Sequence, residues 1–256
     1  MALPYDLTGR TVLIAGASSG LGEGFARLYA MAGAKVVLGA RRLPLVEAIA
    51  KQIGERGGAA LGVTLDVTDA ASVAAAFDAA EARFGTIDIV IANAGVAAIG
   101  RSTDIAPDLF GAVIDTNIKG VYLACREAAR RMIASGSRER EDARIIIIGS
   151  ITAIMGYQGD TAYAASKAAI AHLGRQFAKE WVRQGINVNV VQPGNIETGI
   201  DGADFDDDAG KARIASFNRR RLQTSESLDD IMLYLASVRS RSVTGAVFTI
   251  DDGQSL

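Results

Sequence analysis

The chain of 256 residues carries 27 Lys and Arg against 29 Asp and Glu, a net charge of −2, so no basic excess exists to neutralise a nucleic-acid backbone or an anionic membrane surface. A hydrophobic fraction of 49%, with 28 glycines and only 4 prolines, describes a large core with many tight turns rather than disorder. The single cysteine, Cys125, excludes an internal disulfide and is compatible with a reducing compartment.

The opening segment, MALPYDLTGR, lacks the basic stretch, apolar core and cleavage site of a signal peptide, and no apolar run approaches a membrane span, so a cytoplasmic location is expected. Next comes TVLIAGASSGLGEG, Thr11 to Gly24, a strand leading through a glycine turn into a helix. Its letters fit two machines. Gly16-Ala17-Ser18-Ser19-Gly20 spells the G-x-S-x-G elbow that would make Ser18 a nucleophile. That elbow needs an acid and then a histidine downstream, and the one histidine, His172, falls inside YAASKAAIAHLGRQFAKEW, which reads as uninterrupted helix. The elbow therefore lacks its base. A phosphate-cradling turn needs only a strand, glycines and a helix whose first N–H groups face an anion. Gly16 permits the turn, Gly20 lets the backbone approach a pyrophosphate, and Gly22 lets the helix pack against the strand. Ser18, Ser19 and Leu21 share that turn and are further contact candidates. The spacing is G-x-x-x-G-x-G and departs from the common G-x-G-x-x-G, so the turn alone does not settle the matter.

The second strand, KVVLGA, runs into Arg41 and Arg42. An NAD site places Asp or Glu about 20 residues after the glycine turn to hold the ribose 2′-OH, a role Ala40 cannot fill. Arg41, with Arg42 as a helper, suits a 2′-phosphate, so NADP(H) is the expected cofactor, NAD(H) the alternative. The competing reading is two solvated arginines that open a helix.

Further strands follow in ALGVTLDV, DIVIANAG, RIIIIGS, NVNVVQPG and AVFTIDDG, separated by helical patterns such as SVAAAFDAAEARF and DLFGAVIDTNIKGVYLACREAARRMI. Strand and helix take turns, and the strands are apolar on both sides. This predicts a Rossmann-type doubly wound α/β fold, a seven-stranded parallel sheet with helices on both faces, in a single domain over 1–256. Two polar segments interrupt the rhythm. SGSRERED, Ser135 to Asp142, reads as a solvated loop. Asn195 to Gly210 holds Asp201, Asp204, Asp206, Asp207 and Asp208 beyond a strand's carboxyl end, where open α/β sheets bind ligands, and predicts a lid around 195–215. Its aspartates fit either a cationic or polar substrate or a solvated charge run.

AGASSGLG, ANAG, DTNIKG, the Ser150 to Lys167 segment with YAASK, and QPGNIET occur in this order, and through them the chain resembles the short-chain dehydrogenase/reductase family over nearly its whole length. Ala15 stands where the family usually has threonine, and Ala92 where a second asparagine is common before Asn93-Ala94-Gly95; neither departure removes a catalytic side chain. The resemblance implies a catalytic tetrad of Asn117, Ser150, Tyr163 and Lys167. Tyr163 and Lys167, four apart on a helix, project from one face, and a nearby ammonium favours phenolate over a tyrosine whose free pKa is about 10. Tyr163 thus becomes a usable proton donor to a carbonyl oxygen, with Ser150 hydrogen-bonding the same oxygen. Without the family context the pair would fit an amphipathic surface equally well.

By resemblance, Lys167 also holds the nicotinamide ribose, and Asn117 fixes a backbone carbonyl and a water that leads from Lys167 to solvent. Asp66 and Val67, at the end of the third strand, would meet adenine, although Asp66 also suits a turn before a helix. Asn93, Ala94 and Gly95 would line the cofactor cleft with Pro193 and Gly194, and Ile196 and Thr198 would meet the nicotinamide end. Ile151, Ile154, Met155 and Tyr157 are read either as a wall of the substrate pocket or as core. The expected activity is reversible NADP(H)-dependent reduction of a small-molecule carbonyl to an alcohol, by a homotetramer or homodimer. The alternatives are an NAD-linked alcohol dehydrogenase and a catalytically silent nucleotide-binding regulator.

Overall fold

The computed structural model describes residues 5–196, 205 and 207–256. In chain order β1 (Thr11–Ala15), α1 (Gly20–Met31), β2 (Lys35–Ala40), α2 (Leu43–Glu55), β3 (Ala59–Thr64) and α3 (Ala70–Phe84) form the first half. The second half contains β4 (Ile89–Ala92), α4 (Pro107–Ile114), α5 (Val121–Ala134), the short α6 (Ser137–Arg140), β5 (Ala143–Ile148), α7 (Thr161–Trp181), β6 (Ile186–Pro193), α8 (Asp208–Ser216), α9 (Asp229–Ala236) and β7 (Val247–Ile250). The seven strands form one sheet in the order β3-β2-β1-β4-β5-β6-β7, parallel throughout. The doubly wound fold read from the sequence is the fold observed.

Two apolar layers explain why the strands carry no polar face. Leu13, Val37, Val90, Ile145 and Val188 point to one side, where Phe77, Cys125, Met132, Ile170 and Phe177 meet them. Val12, Ile14, Leu38, Ile91 and Ile146 point to the other, against Phe25, Tyr29, Val46, Met232 and Leu235. Alternate residues of one strand thus supply both cores, the requirement of a sheet covered twice. Strand order reverses between β1 and β4, which opens a crevice beyond their carboxyl ends.

Two local expectations change. The long helical pattern from Asp108 to Ile133 is not one α-helix: a π-helical turn, Asp115–Gly120, separates α4 from α5. Nor is Ser135 to Asp142 merely a solvated loop. It contains α6, whose Ser137 is buried and donates to the Gln184 carbonyl at 2.6 Å, anchoring the turn against the end of the α7 region. Among the described residues no helix is long and apolar enough to cross a membrane.

Candidate active site

β1 ends at Ala15, and the next two N–H groups, of Gly16 and Ala17, both donate to Gly39 O at 2.8 and 3.1 Å, which bends the chain across β2. The turn needs glycine at two points. Gly16 has φ +82°, and a Cβ there would lie 2.7 Å from Ala94 Cα; a Cβ on Gly22 would lie 2.1 Å from Gly16 O. Helix α1 begins immediately after, and its N-cap, Ser19, makes no side-chain capping bond to the first N–H groups of the helix. Removing side-chain bulk here brings bare backbone donors to a surface that a pyrophosphate fits. Asn93 spans the switch point by donating from Nδ2 to Gly16 O at 2.8 Å.

The cleft over this crevice has a volume of about 640 Å³. Of the residues expected to touch cofactor, Gly16, Ser18, Ser19, Gly20, Leu21, Arg41, Arg42, Asp66, Val67, Asn93, Ala94, Gly95, Pro193, Gly194 and Ile196 line it, as do Ser150, Tyr163 and Lys167. Gly22 and Asn117 do not; both are buried beneath the lining. Thr198 lies outside the described residues.

At the β2 end of the cleft, Arg42 donates to Ser18 Oγ at 3.1 Å, so the glycine turn does have a basic neighbour that its own sequence lacks. Asp66 sits two residues past the end of β3. Its Oδ1 accepts from Thr68 N and Thr68 Oγ1 at 2.9 and 2.8 Å, and these bonds, with a smaller attraction from Arg41, hold its carboxyl below the usual range. Asp66 thus forms the turn that precedes α3 while lining the cleft, and Asp69 caps α3 by accepting from Ala71 N at 2.9 Å.

The π-helical turn explains Asn117. One wider turn carries a fully buried amide toward β4, where Asn117 Oδ1 accepts from Val96 N and Asn117 Nδ2 donates to Val96 O, both at 2.9 Å. The same Nδ2 lies 3.0 Å from Ser166 Oγ, and that hydroxyl donates to Tyr163 O at 2.7 Å. The loop after β4 and the first turn of α7 are thus tied together through one side chain. The backbone partner implied by resemblance is the Val96 carbonyl.

On α7, Tyr163 and Lys167 project from the same face, with Lys167 Nζ 5.3 Å from the tyrosine ring centre. Nζ donates to Ile148 O at 2.9 Å, and burial pushes the lysine pKa from the ordinary 10.5 down to about 8. The folded protein therefore carries a buried ammonium at a cost below pH 8, a cost that shrinks from pH 8 to 10.5 as the folded form loses its proton and is absent above 10.5. Replacing Lys167 by Met should favour the fold more at pH 7 than at pH 10.5, by a difference of about 3 kcal/mol, the lost bond to Ile148 O being common to both. Chemical denaturation at the two pH values checks this; equal effects at both would refute it.

Ser150 caps the short helical turn Ile151–Ala153, its Oγ accepting from Thr152 N at 3.2 Å. That bond uses a lone pair and leaves the hydroxyl proton for a ligand oxygen. Of the four bulky residues after Ser150, only Tyr157 lines the cleft; Ile151 is core, and Ile154 is 63% exposed. His172 lies on the exposed side of α7 and does not line the cleft, so Ser18 has no histidine base there.

Within the segment expected to form a lid, the structure describes α8. Asp207 caps it, accepting from Gly210 N at 2.6 Å, and Asp208 occupies its first turn, both exposed; Asp201, Asp204 and Asp206 lie outside the described residues. Sequence reasoning did not find Gln158, Asp160, Phe205 or Arg213, all of which line the cleft. No motif marks them, because tertiary folding alone brings them to the cleft.

Fold and cleft together define a Rossmann-type α/β protein with an open cleft at its switch point. The short chain dehydrogenase family model matches residues 10–209. Oxidoreductase UcpA of Escherichia coli (strain K12) is 37% identical over 258 residues, covering 98% of this chain and 96% of that protein. A gluconate 5-dehydrogenase from Burkholderia cenocepacia J2315, solved with NADP and tartrate, is 33% identical with a TM-score of 0.91, covering 98% and 96% of the two chains. A 3-ketoacyl-(acyl-carrier-protein) reductase from Brucella melitensis, solved with NADH, is 30% identical with a TM-score of 0.88, covering 98% and 100%. The chain belongs to the short-chain dehydrogenase/reductase family of oxidoreductases.

Proposed function

We propose that this protein reduces a carbonyl to an alcohol with NADPH, reversibly, and that Tyr163 is its proton donor. The observation that carries the reading is convergence: Ser150, Tyr163 and Lys167 line the same cleft as the glycine turn and Arg41. Backbone N–H groups at Gly20 to Gly22 would hold the pyrophosphate, and Arg41 and Arg42 the 2′-phosphate. When bound, NADPH supplies hydride to the carbonyl carbon and becomes NADP⁺. Tyr163 gives its phenolic proton to the carbonyl oxygen, completing the alcohol, and regains a proton from solvent. The Lys167 ammonium stabilises the phenolate left behind. Ser150 donates to the same oxygen, which places the carbonyl and offsets the charge that develops on it. Asn117 touches none of the reacting atoms; it positions the first turn of α7 and the loop that bears Val96.

The NADP(H) preference rests on Arg41. It makes no hydrogen bond or ion pair among the described residues, lines the cleft, and has no carboxylate before it at Ala40. A guanidinium held this way offers paired donors to a phosphate. Arg41→Asp should lower the NADPH-to-NADH ratio of kcat/KM by about 10- to 100-fold, the worth of a hydrogen bond to a charged group. Direct titration with each cofactor provides a second readout, and an unchanged preference would remove Arg41 from the 2′-phosphate site.

A further inference from the structure

We infer that Arg213, on α8, is a specificity residue that receives the carboxylate of an oxo-acid substrate while its carbonyl lies at Ser150 and Tyr163. The inference rests on the reductase reading and goes beyond it by naming the substrate class. Arg213 lines the cleft from α8, whereas Arg41 and Arg42 reach it from the end of β2. Its guanidinium lies over the Tyr157 ring, 4.0 Å from the ring centre, with Phe205 flanking it at 5.9 Å. Stacking on an aromatic face fixes the plane of the guanidinium and leaves its edge donors free to meet a planar anion. The platform is itself held: Asn195 Nδ2 donates to Tyr157 OH at 3.2 Å, and Asn195 N donates to Gln254 Oε1 at 2.6 Å.

Among the described residues Arg213 has aromatic neighbours and no ionic partner. Nearby Arg219 and Arg221 both pair with Asp252, at 3.0 and 2.7 Å, and Arg131 pairs with Glu127, Glu81 and Asp78. Among the described residues no carboxylate pairs with Arg213, and its buried Nε has no hydrogen-bond partner. An unpaired donor on a charged group, withdrawn from water, is costly unless a ligand completes it. Among the described residues that line the cleft, Asp66 is engaged by Thr68, and no ion pair joins Asp66 or Asp160 to Arg213. Asp207 and Asp208, which suggested a cationic substrate, are exposed at the helix start. One guanidinium supplies one charge and one pair of parallel donors, the complement of a carboxylate.

The test uses 3-oxobutanoate, 4-oxopentanoate and 5-oxohexanoate beside their methyl esters, so that spacing between carbonyl and carboxylate varies. Wild-type protein should favour the acid over the ester for at least one spacing in kcat/KM with NADPH. Arg213→Gln should reduce that acid-to-ester ratio by about 10- to 100-fold, Arg213→Lys should retain part of it, and Lys211→Gln, exposed on the same helix, should not move it. Calorimetry of each acid with protein saturated in NADP⁺ reads binding without turnover. Acids that bind and are lost in Arg213→Gln support the site even when nothing is reduced, an outcome that would sink the reductase reading alone. Esters used as well as acids at every spacing, acids that bind no better than esters, or a ratio unchanged in Arg213→Gln would overturn the inference. So would weakened NADPH affinity with an unchanged ratio, which would assign Arg213 to the cofactor.

Discussion

Tyr163→Phe should lower kcat by roughly 100- to 10,000-fold, the range spanned by general acid–base catalysis, while NADPH affinity stays near that of the wild type. The substitution removes one oxygen from a half-buried ring and leaves the Lys167 bond to Ile148 O and the Asn117–Ser166 bridge in place. Binding and proton transfer are separated because the contacts that would hold NADPH are spread along the cleft, whereas the proton comes from a single hydroxyl. Steady-state kinetics with a fluorescence titration of NADPH checks both halves. Full activity in the variant would mean that another group donates the proton; joint loss of binding and activity would give Tyr163 a structural role.

The second large effect concerns architecture. Gly22→Ala should destabilise the fold by about 3 kcal/mol and lower the melting midpoint by roughly 6–12 °C, because the new methyl has to displace backbone. Its Cβ would lie 2.1 Å from Gly16 O and 2.7 Å from Asn93 Nδ2, two atoms already joined by a hydrogen bond across the switch point. Opening that bond also loosens the phosphate turn, so NADPH affinity should fall with stability. Gly24→Ala, two residues on in α1, provides the contrast: nothing lies within 4 Å of its Cβ, and the gain in helix propensity should stabilise by up to about 1 kcal/mol. If both variants behave alike in thermal unfolding, the close approach at Gly22 is not a determinant of the fold.

These two positions also show what a linear chain discloses. The turn at Gly22 and the shared helix face of Tyr163 and Lys167 were legible from local spacing, whereas the catalytic reading of that pair came through the family resemblance. The seven strands were legible because burial on two faces demands continuous apolar runs. Asn117 was legible only through resemblance. Its environment depends on a π-helical turn, and one extra residue per turn leaves no periodic mark in six residues that otherwise continue a helix. Arg213 was not legible at all, since its aromatic neighbours, Tyr157 and Phe205, come from different segments and meet it only in the folded chain. The acidic run drew attention instead, although Asp207 acts through its own helix end, a local task that charge counting cannot separate from ligand binding.

The most direct measurement follows an isotope. NADPH deuterated at the transferable position of the nicotinamide would be mixed with the wild-type protein and a set of ketones, the oxo acids and esters above among them, and the products examined by mass spectrometry. The account predicts that deuterium leaves the nicotinamide and appears on the alcohol carbon, with the hydroxyl proton drawn from solvent. Product formed with all deuterium retained on the nicotinamide would contradict hydride transfer in this cleft.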